Sequence, residues 1–313
     1  MKKHLLKILG IVILILILRK VDIHLVWTHI RNCNLFLLSL TILVQVVCLV
    51  TKVIKWKFIL KLLKIRVDFW NSLRAYWSGL YLAAVTPGKV GDISRAYFIY
   101  KNNPSVARSI FSVLLDRLTD VASLLFLGFV ASFFYLKELN QLSYLLLFLL
   151  AGLVLGIWII LIKRDFFYEL FKSSIYKFIS KDKHPLKENL DLSILKEIKA
   201  KYYVGIFFYV LLGWSAYFTG WWILTKALYV KISFLQMVGA VSIATVISLI
   251  PITISGLGTR DAAMIFIFSK LDIATESALS FSLLIFVIEI VIVCFGMFFF
   301  FRSFKAERPF KNV

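Results

Sequence analysis

Thr86-Pro87-Gly88-Lys89-Val90-Gly91-Asp92-Ile93-Ser94-Arg95 interrupts an apolar segment, Leu73 to Ala96, whose two flanks are both basic. Pro87 lacks the amide that a helix interior needs, and Gly88 and Gly91 relax the backbone, so the incoming helix must stop here. Non-helical backbone at membrane depth survives only where protein or a water-filled cavity satisfies its polar groups. A matching break, Pro251-Ile252-Thr253-Ile254-Ser255-Gly256-Leu257-Gly258-Thr259-Arg260-Asp261, lies within Phe234 to Phe268, a segment with sparsely charged flanks. Both segments are therefore expected to enter and leave the membrane on one side, as re-entrant hairpins.

The rest of the chain supplies that membrane. Hydrophobic residues make up 61% of the 313, above the roughly 45 to 50% of soluble domains. Apolar runs at Leu5 to Leu18, Leu35 to Val50, Tyr144 to Ile162 and Ala278 to Phe301 approach or exceed the roughly 20 residues that a crossing helix needs. The first run follows Lys2, Lys3 and Lys7 but precedes no small-residue cleavage site, so it is expected to be a retained span.

Charge placement sets the topology. With the N-terminus cytoplasmic, 27 of the 37 Lys and Arg fall on inner segments, chiefly Lys52 to Arg74 and Lys163 to Lys201, and only seven on outer ones. The predicted fold is all-α: a polytopic helical membrane protein of about six full spans plus two re-entrant broken-helix hairpins. The second half has the first half's order of elements turned upside down, an inverted-repeat plan that builds sites at paired broken segments. The expected organisation is a single integral membrane domain over residues 1–313. It comprises one inverted half at 1–136, the other at 144–301, and a cytoplasmic amphipathic linker at 163–201. Both termini are expected to be cytoplasmic, in the inner cell membrane.

The net charge of +20 reflects this asymmetry and not a nucleic-acid footprint. Neither the three cysteines nor the four histidines have metal-ligand spacing, so no metal and no cofactor is expected. Asp-x-Asp, Gly-x-Ser-x-Gly and HExxH motifs are missing too, and no residue is assigned a catalytic role.

The residues expected to bind substrate fall into four sets. Pro87, Gly88, Lys89, Gly91, Asp92 and Arg95 form the first break, where a helix start would gather free amides and two cations for a phosphate. Ser255, Gly256, Gly258, Arg260 and Asp261 form the second, with Ser255 available to cap the helix that begins near Thr259. Asp116, Arg117 and Asp120 lie inside the apolar stretch Val113 to Leu127, and Asp116 and Asp120 offer partners for Arg95 or Arg260. Glu289 stands near the middle of the last apolar run. A charge at a helix centre costs roughly 2.5 to 3.5 kcal/mol, so these groups should face partners or an aqueous cavity.

Pro87 to Arg95, Asp116-Arg117-x-x-Asp120 and Ser255 to Asp261 resemble, in order and spacing, the lysylphosphatidylglycerol synthase transmembrane, or flippase-like, family. The resemblance implies a bacterial or archaeal inner-membrane protein that moves an anionic, aminoacylated or glycosylated lipid between leaflets, binding a phosphate-bearing headgroup. The family often has Glu where this chain has Asp92, Asp116 and Asp261, and a basic residue where its final span has Glu289. The chain ends about a dozen residues after its last apolar run, so the aminoacyl-transfer domain of the synthases is not expected. Shorter members often accompany glycosyltransferases. Two readings compete with transport: a non-transporting membrane partner of a glycosyltransferase or other lipid-modifying enzyme, and an intramembrane transferase.

Overall fold

The computed structural model describes residues 12–13, 15–19, 21–100, 106–136, 140–162, 200–250, 253 and 256–305. Among the described residues the fold consists of α-helices and one 3-10 turn, without strands. The helices are α1 (Ile23–Arg31), α2 (Leu35–Leu62), α3 (Phe69–Val85), α4 (Ser94–Tyr100), α5 (Val106–Tyr135), α6 (Asn140–Ile162), α7 (Ala200–Ala227), α8 (Phe234–Ser248), α9 (Thr259–Ser269) and α10 (Thr275–Lys305). The 3-10 turn, Pro87–Ile93, joins α3 to α4.

Leu35–Leu62, Arg108–Tyr135, Val204–Ala227 and Thr275–Phe301 are each long and apolar enough to cross a membrane. Asn140–Gly156 and Phe234–Ser248 are shorter apolar helices. Of the expected first span, Leu5 to Leu18, residues 12–13 and 15–18 are described, and they are helical. Residues 163–199 of the expected amphipathic linker lie outside the described residues, while Ala200 and Lys201 open α7.

One boundary departs from the sequence reading. Lys52 to Lys61 had been assigned to a polar inner segment, yet α2 continues through Leu62. Val53, Trp56, Ile59 and Leu60 repeat at helical spacing and are completely buried, so the apolar face outruns the point where lysines begin to appear.

Both break segments fold as hairpins. The first descends through α3, turns at Pro87–Ile93 and returns through α4, which packs on α3; the second pairs α8 with α9 in the same way. Each hairpin also lies along a long helix distant in sequence, α3 on α10 and α8 on α5, and α2 and α7 pack on each other. The Trp77 indole donates to the Ile292 carbonyl at 2.6 Å, which fastens α3 to α10.

The approaches to the two hairpins are built alike. Helices α2 and α7 both have 28 residues and both stop at a left-handed residue, Lys64 (φ 59°) and Tyr229 (φ 56°). The next amides, Ile65 and Val230, donate back to the carbonyls of Leu60 and Thr225 at 2.9 and 2.8 Å. Asp68 and Ser233 then cap the hairpins, accepting from the amides of Asn71 and Gln236. Matched residues stand a constant 165 positions apart: Trp56 and Trp221, Leu63 and Leu228, Phe69 and Phe234, Gly91 and Gly256, Arg95 and Arg260.

Gly91 makes the first turn possible, because a Cβ there would collide with the carbonyl of Leu82. Its amide donates to Thr86 Oγ1 at 2.8 Å, and that hydroxyl donates to the same Leu82 carbonyl at 2.7 Å. Replacing Gly91 by Ala is expected to destabilise the protein by about 1–3 kcal/mol through overpacking. The control, Gly152→Ala, sits where nothing lies within 4 Å and should leave stability unchanged or raise it by roughly 0.5–1 kcal/mol. Thermal unfolding of the two variants in detergent measures the difference.

Candidate functional site

The first hairpin delivers its charges to α2 and α5. Arg95 is fully buried, and its Nη2 donates to Asp116 at 2.7 Å and lies 3.1 Å from Asp92. The guanidinium packs against two neighbouring rings, Trp56 and Tyr76, its central carbon 4.7 and 4.6 Å from their centroids. Asp92 also accepts from Arg117 Nε at 2.5 Å. On the far side of Asp116, the Lys55 ammonium lies 2.9 Å from that carboxylate and 2.5 Å from Asp120. Three cations thus meet three carboxylates, and the set is electrically neutral. Only Arg117, with a third of its side chain exposed, reaches its edge.

The second hairpin forms a different set. α9 begins at Thr259 as expected, but Gly258 occupies its cap position, and the Asp261 carboxylate reaches back to accept the Gly258 amide at 2.8 Å. Gly258 and Gly256 have φ of 84° and 76°, conformations that call for glycine. Asp261 also accepts from the Ser282 hydroxyl. Arg260 Nη1 donates to Glu289 at 2.9 Å, and its Nη2 donates to the Ser282 carbonyl at 3.2 Å. Ser255 lies outside the described residues. Glu289 keeps 36% of its side chain exposed, where Asp116 keeps 1%.

Of the two expected partners for the α5 carboxylates, the structure brings up Arg95 and keeps Arg260 with Glu289. The first break does not present a bare helix start to an anion, because the 3-10 turn runs directly into α4 and Thr86 takes the Gly91 amide. Pro87 and Gly88 open that turn.

Lys89 lies in the 3-10 turn and in neither set. It is half-buried, its φ is 57°, and Glu289, Arg117, Lys52 and Arg260 are all within its electrostatic reach. Among the described residues it forms no ion pair. The other positive-φ residues outside glycine, Lys64, Tyr229 and Asp272, follow helix ends, where such a conformation is routine. Lys89 sits inside a turn, and strain of this kind concentrates at functional positions.

Lys55 and Lys52 were missed by the sequence reading, which counted them as inner-loop charge. The signal was available in the buried spacing of Val53, Trp56, Ile59 and Leu60, which places Lys55 on a helix face directed inward. No group of three or more metal-ligating side chains occurs among the described residues.

A helical membrane protein with several spans, two helix-breaking hairpins and an internal charge network is the class that this fold and site define. The pattern of the family described as "Lysylphosphatidylglycerol synthase TM region" matches residues 5–296, and the chain belongs to that family. It is 28% identical over 305 residues to a UPF0104 membrane protein of Methanocaldococcus jannaschii, covering 90% of this chain and 89% of the relative. A UPF0104 membrane protein of Archaeoglobus fulgidus is 24% identical over 281 residues, covering 84% and 85%. One of Pyrococcus horikoshii is 27% identical over 125 residues, covering 39% and 37%.

The neutral set sets a stability test. Asp116→Asn leaves the buried Lys55 and Arg95 short of a counter-charge and is expected to cost about 3–5 kcal/mol. Adding Lys55→Met to Asp116→Asn removes one stranded cation and should restore part of the loss, as read by chemical denaturation of the single and double variants.

Proposed function

We propose that this protein moves an anionic, aminoacylated or glycosylated lipid between the leaflets of the inner cell membrane. The observation that carries the reading is Lys89, a cation with left-handed backbone and no ion pair among the described residues, within electrostatic reach of both charge sets. An ammonium in that position suits the phosphate of a lipid headgroup. Arg117 and Arg260 add donors from the two sets, and half-exposed Glu289 can exchange Arg260 with an incoming anion. Asp92, Arg95, Asp116 and Asp120 act from beneath, holding Arg117 and the turn in place. Gly91, Gly256, Gly258 and Asp261 shape the two turns, with Pro87, Gly88 and Ser255 completing them.

An inverted repeat gives this site a mechanism. The constant offset of 165 positions, the equal helices α2 and α7, and the reciprocal packing of each hairpin on the opposite half all support two related halves. With both termini and the 163–201 linker cytoplasmic, the two breaks enter from opposite faces. Rocking one half against the other would then expose the site alternately to each leaflet. A purely positioning role beside a glycosyltransferase or other lipid-modifying enzyme needs no such site, and its signature would be a stoichiometric enzyme partner and no lipid movement.

Lys89→Gly separates function from folding. Glycine adopts φ near 57° without strain, so the variant should be as stable as the parent or up to about 1 kcal/mol more stable. Loss of one charge-assisted contact should slow passage of labelled phosphatidylglycerol across proteoliposomes by about tenfold or more. Arg260→Gln should behave likewise. Parental rates in both folded variants would defeat the proposal.

A further inference from the structure

The Lys55 ammonium has more oxygens around it than it has N–H groups. Asp116 Oδ1 lies 2.9 Å from Nζ, Asp120 Oδ1 2.5 Å, the Asp116 main-chain carbonyl 3.3 Å and Thr119 Oγ1 3.4 Å. The last three accept hydrogen bonds from it, which uses all three of its N–H donors. Asp116 Oδ1, on a fully buried side chain and directed at the same point, accepts no hydrogen bond among the described residues. Charge alone holds it there.

An ion gathers ligands in this way. Directional donors are matched by as many acceptors, whereas a spherical cation collects oxygens of mixed kind, here two carboxylates, a carbonyl and a hydroxyl. None of the four donors is nitrogen or sulfur, so the set suits a hard ion. The Thr119 hydroxyl donates to the Asp116 carbonyl at 2.8 Å, which leaves its lone pairs for the ammonium. Asp116, Thr119 and Asp120 occupy one turn of α5 and share a face by helical spacing, while α2 contributes only the ammonium.

Charge selects the valence. Lys55, Arg95 and Arg117 balance Asp92, Asp116 and Asp120, so loss of the lysine leaves one negative charge that a monovalent ion restores and a divalent ion overshoots. Three of the four distances also exceed the roughly 2.3–2.6 Å of calcium–oxygen contacts.

We propose that Asp116, Thr119 and Asp120 form a monovalent-cation site whose resident ion is the Lys55 ammonium. A tethered charge takes the place of an alkali ion, so the contact between α2 and α5 holds whatever salts surround the protein. Asp120, with 12% of its side chain exposed, is the edge by which a free ion enters once the lysine is gone. The inference stands whether or not the protein moves lipid.

Lys55→Ala empties the cage and keeps its four oxygens. The full chain in uncharged detergent is unfolded thermally in potassium chloride and in choline chloride at equal concentration, choline being too large for the cage. The parent should have the same midpoint in both salts. The midpoint of Lys55→Ala should rise with potassium and saturate, its folding constant growing about tenfold when potassium reaches ten times its dissociation constant. Lys55→Ala combined with Asp120→Asn has no charge left to balance and should be indifferent to potassium.

Equal midpoints of Lys55→Ala in the two salts overturn the assignment, as does a potassium response no larger than that of the parent or the double variant. Calcium acting on Lys55→Ala at lower concentration than potassium overturns its monovalent class. Failure of Lys55→Ala to fold even in potassium overturns it equally, since the ion should refill the cage.

Discussion

Ionised groups in a low-dielectric interior must be matched in number and held in contact, and the first half of this protein is organised around that requirement. Asp116 stands at its centre, with Lys55 on one side and Arg95 on the other. Because the three residues come from α2, α5 and the start of α4, satisfying one carboxylate fixes the relative positions of three elements. Asp92 and Asp120 complete the balance at the two ends. Trp56 serves the same network twice, covering the Arg95 guanidinium with its ring and donating its indole N–H to Ser112 of α5 at 3.2 Å. Such a network is weak as a source of stability and strong as a source of register, since every displaced partner would strand a charge.

Much of this was legible in the sequence. Pro, Gly and charge in one short stretch can be reconciled with a membrane only by a protein-lined break, and both breaks fold as hairpins. Asp116 and Asp120, in an apolar stretch, had to find cations, and Arg95 was among the two named for the task. The lysines of α2 were less legible, because the positive-inside rule is a statement about loops and gives no warning when a helix continues past its first lysine. Only the buried spacing of Val53, Trp56, Ile59 and Leu60 distinguishes that continuation from a loop. The start of α9 shows a second limit: Gly258 holds the cap position, and its amide is taken by the carboxylate of Asp261 three positions on, a bond that residue type alone does not announce.

An order of elements can be read from charge and apolar runs, whereas likeness of single residues 165 positions apart is confined to a few turns and packing points, such as Leu63 and Leu228 or Phe69 and Phe234. The left-handed positions make the same point from the other direction. Lys64 and Tyr229 share nothing chemically, yet both adopt the conformation that ends a 28-residue helix.

What differs between equivalent positions then locates the chemistry. Arg95 and Arg260 stand at the same place in the two hairpins, and each reaches a carboxylate in the following long helix. Arg95 is enclosed by two rings and two carboxylates, with Asp116 sealed from the surface. Arg260 has one close carboxylate, and Glu289 remains over a third exposed. The position matching Asp92 is Leu257, and the acid of the second hairpin, Asp261, stands 3.9 Å from Arg260 and is held by the Gly258 amide and the Ser282 hydroxyl. The charge set of the first hairpin is therefore closed and that of the second partly open, and Lys89 has Glu289 and Arg260 of the open set within electrostatic reach. A sealed network fixes register because every displaced partner strands a charge, whereas a pair with an exposed carboxylate can open at lower cost; the two hairpins of this chain differ in that respect.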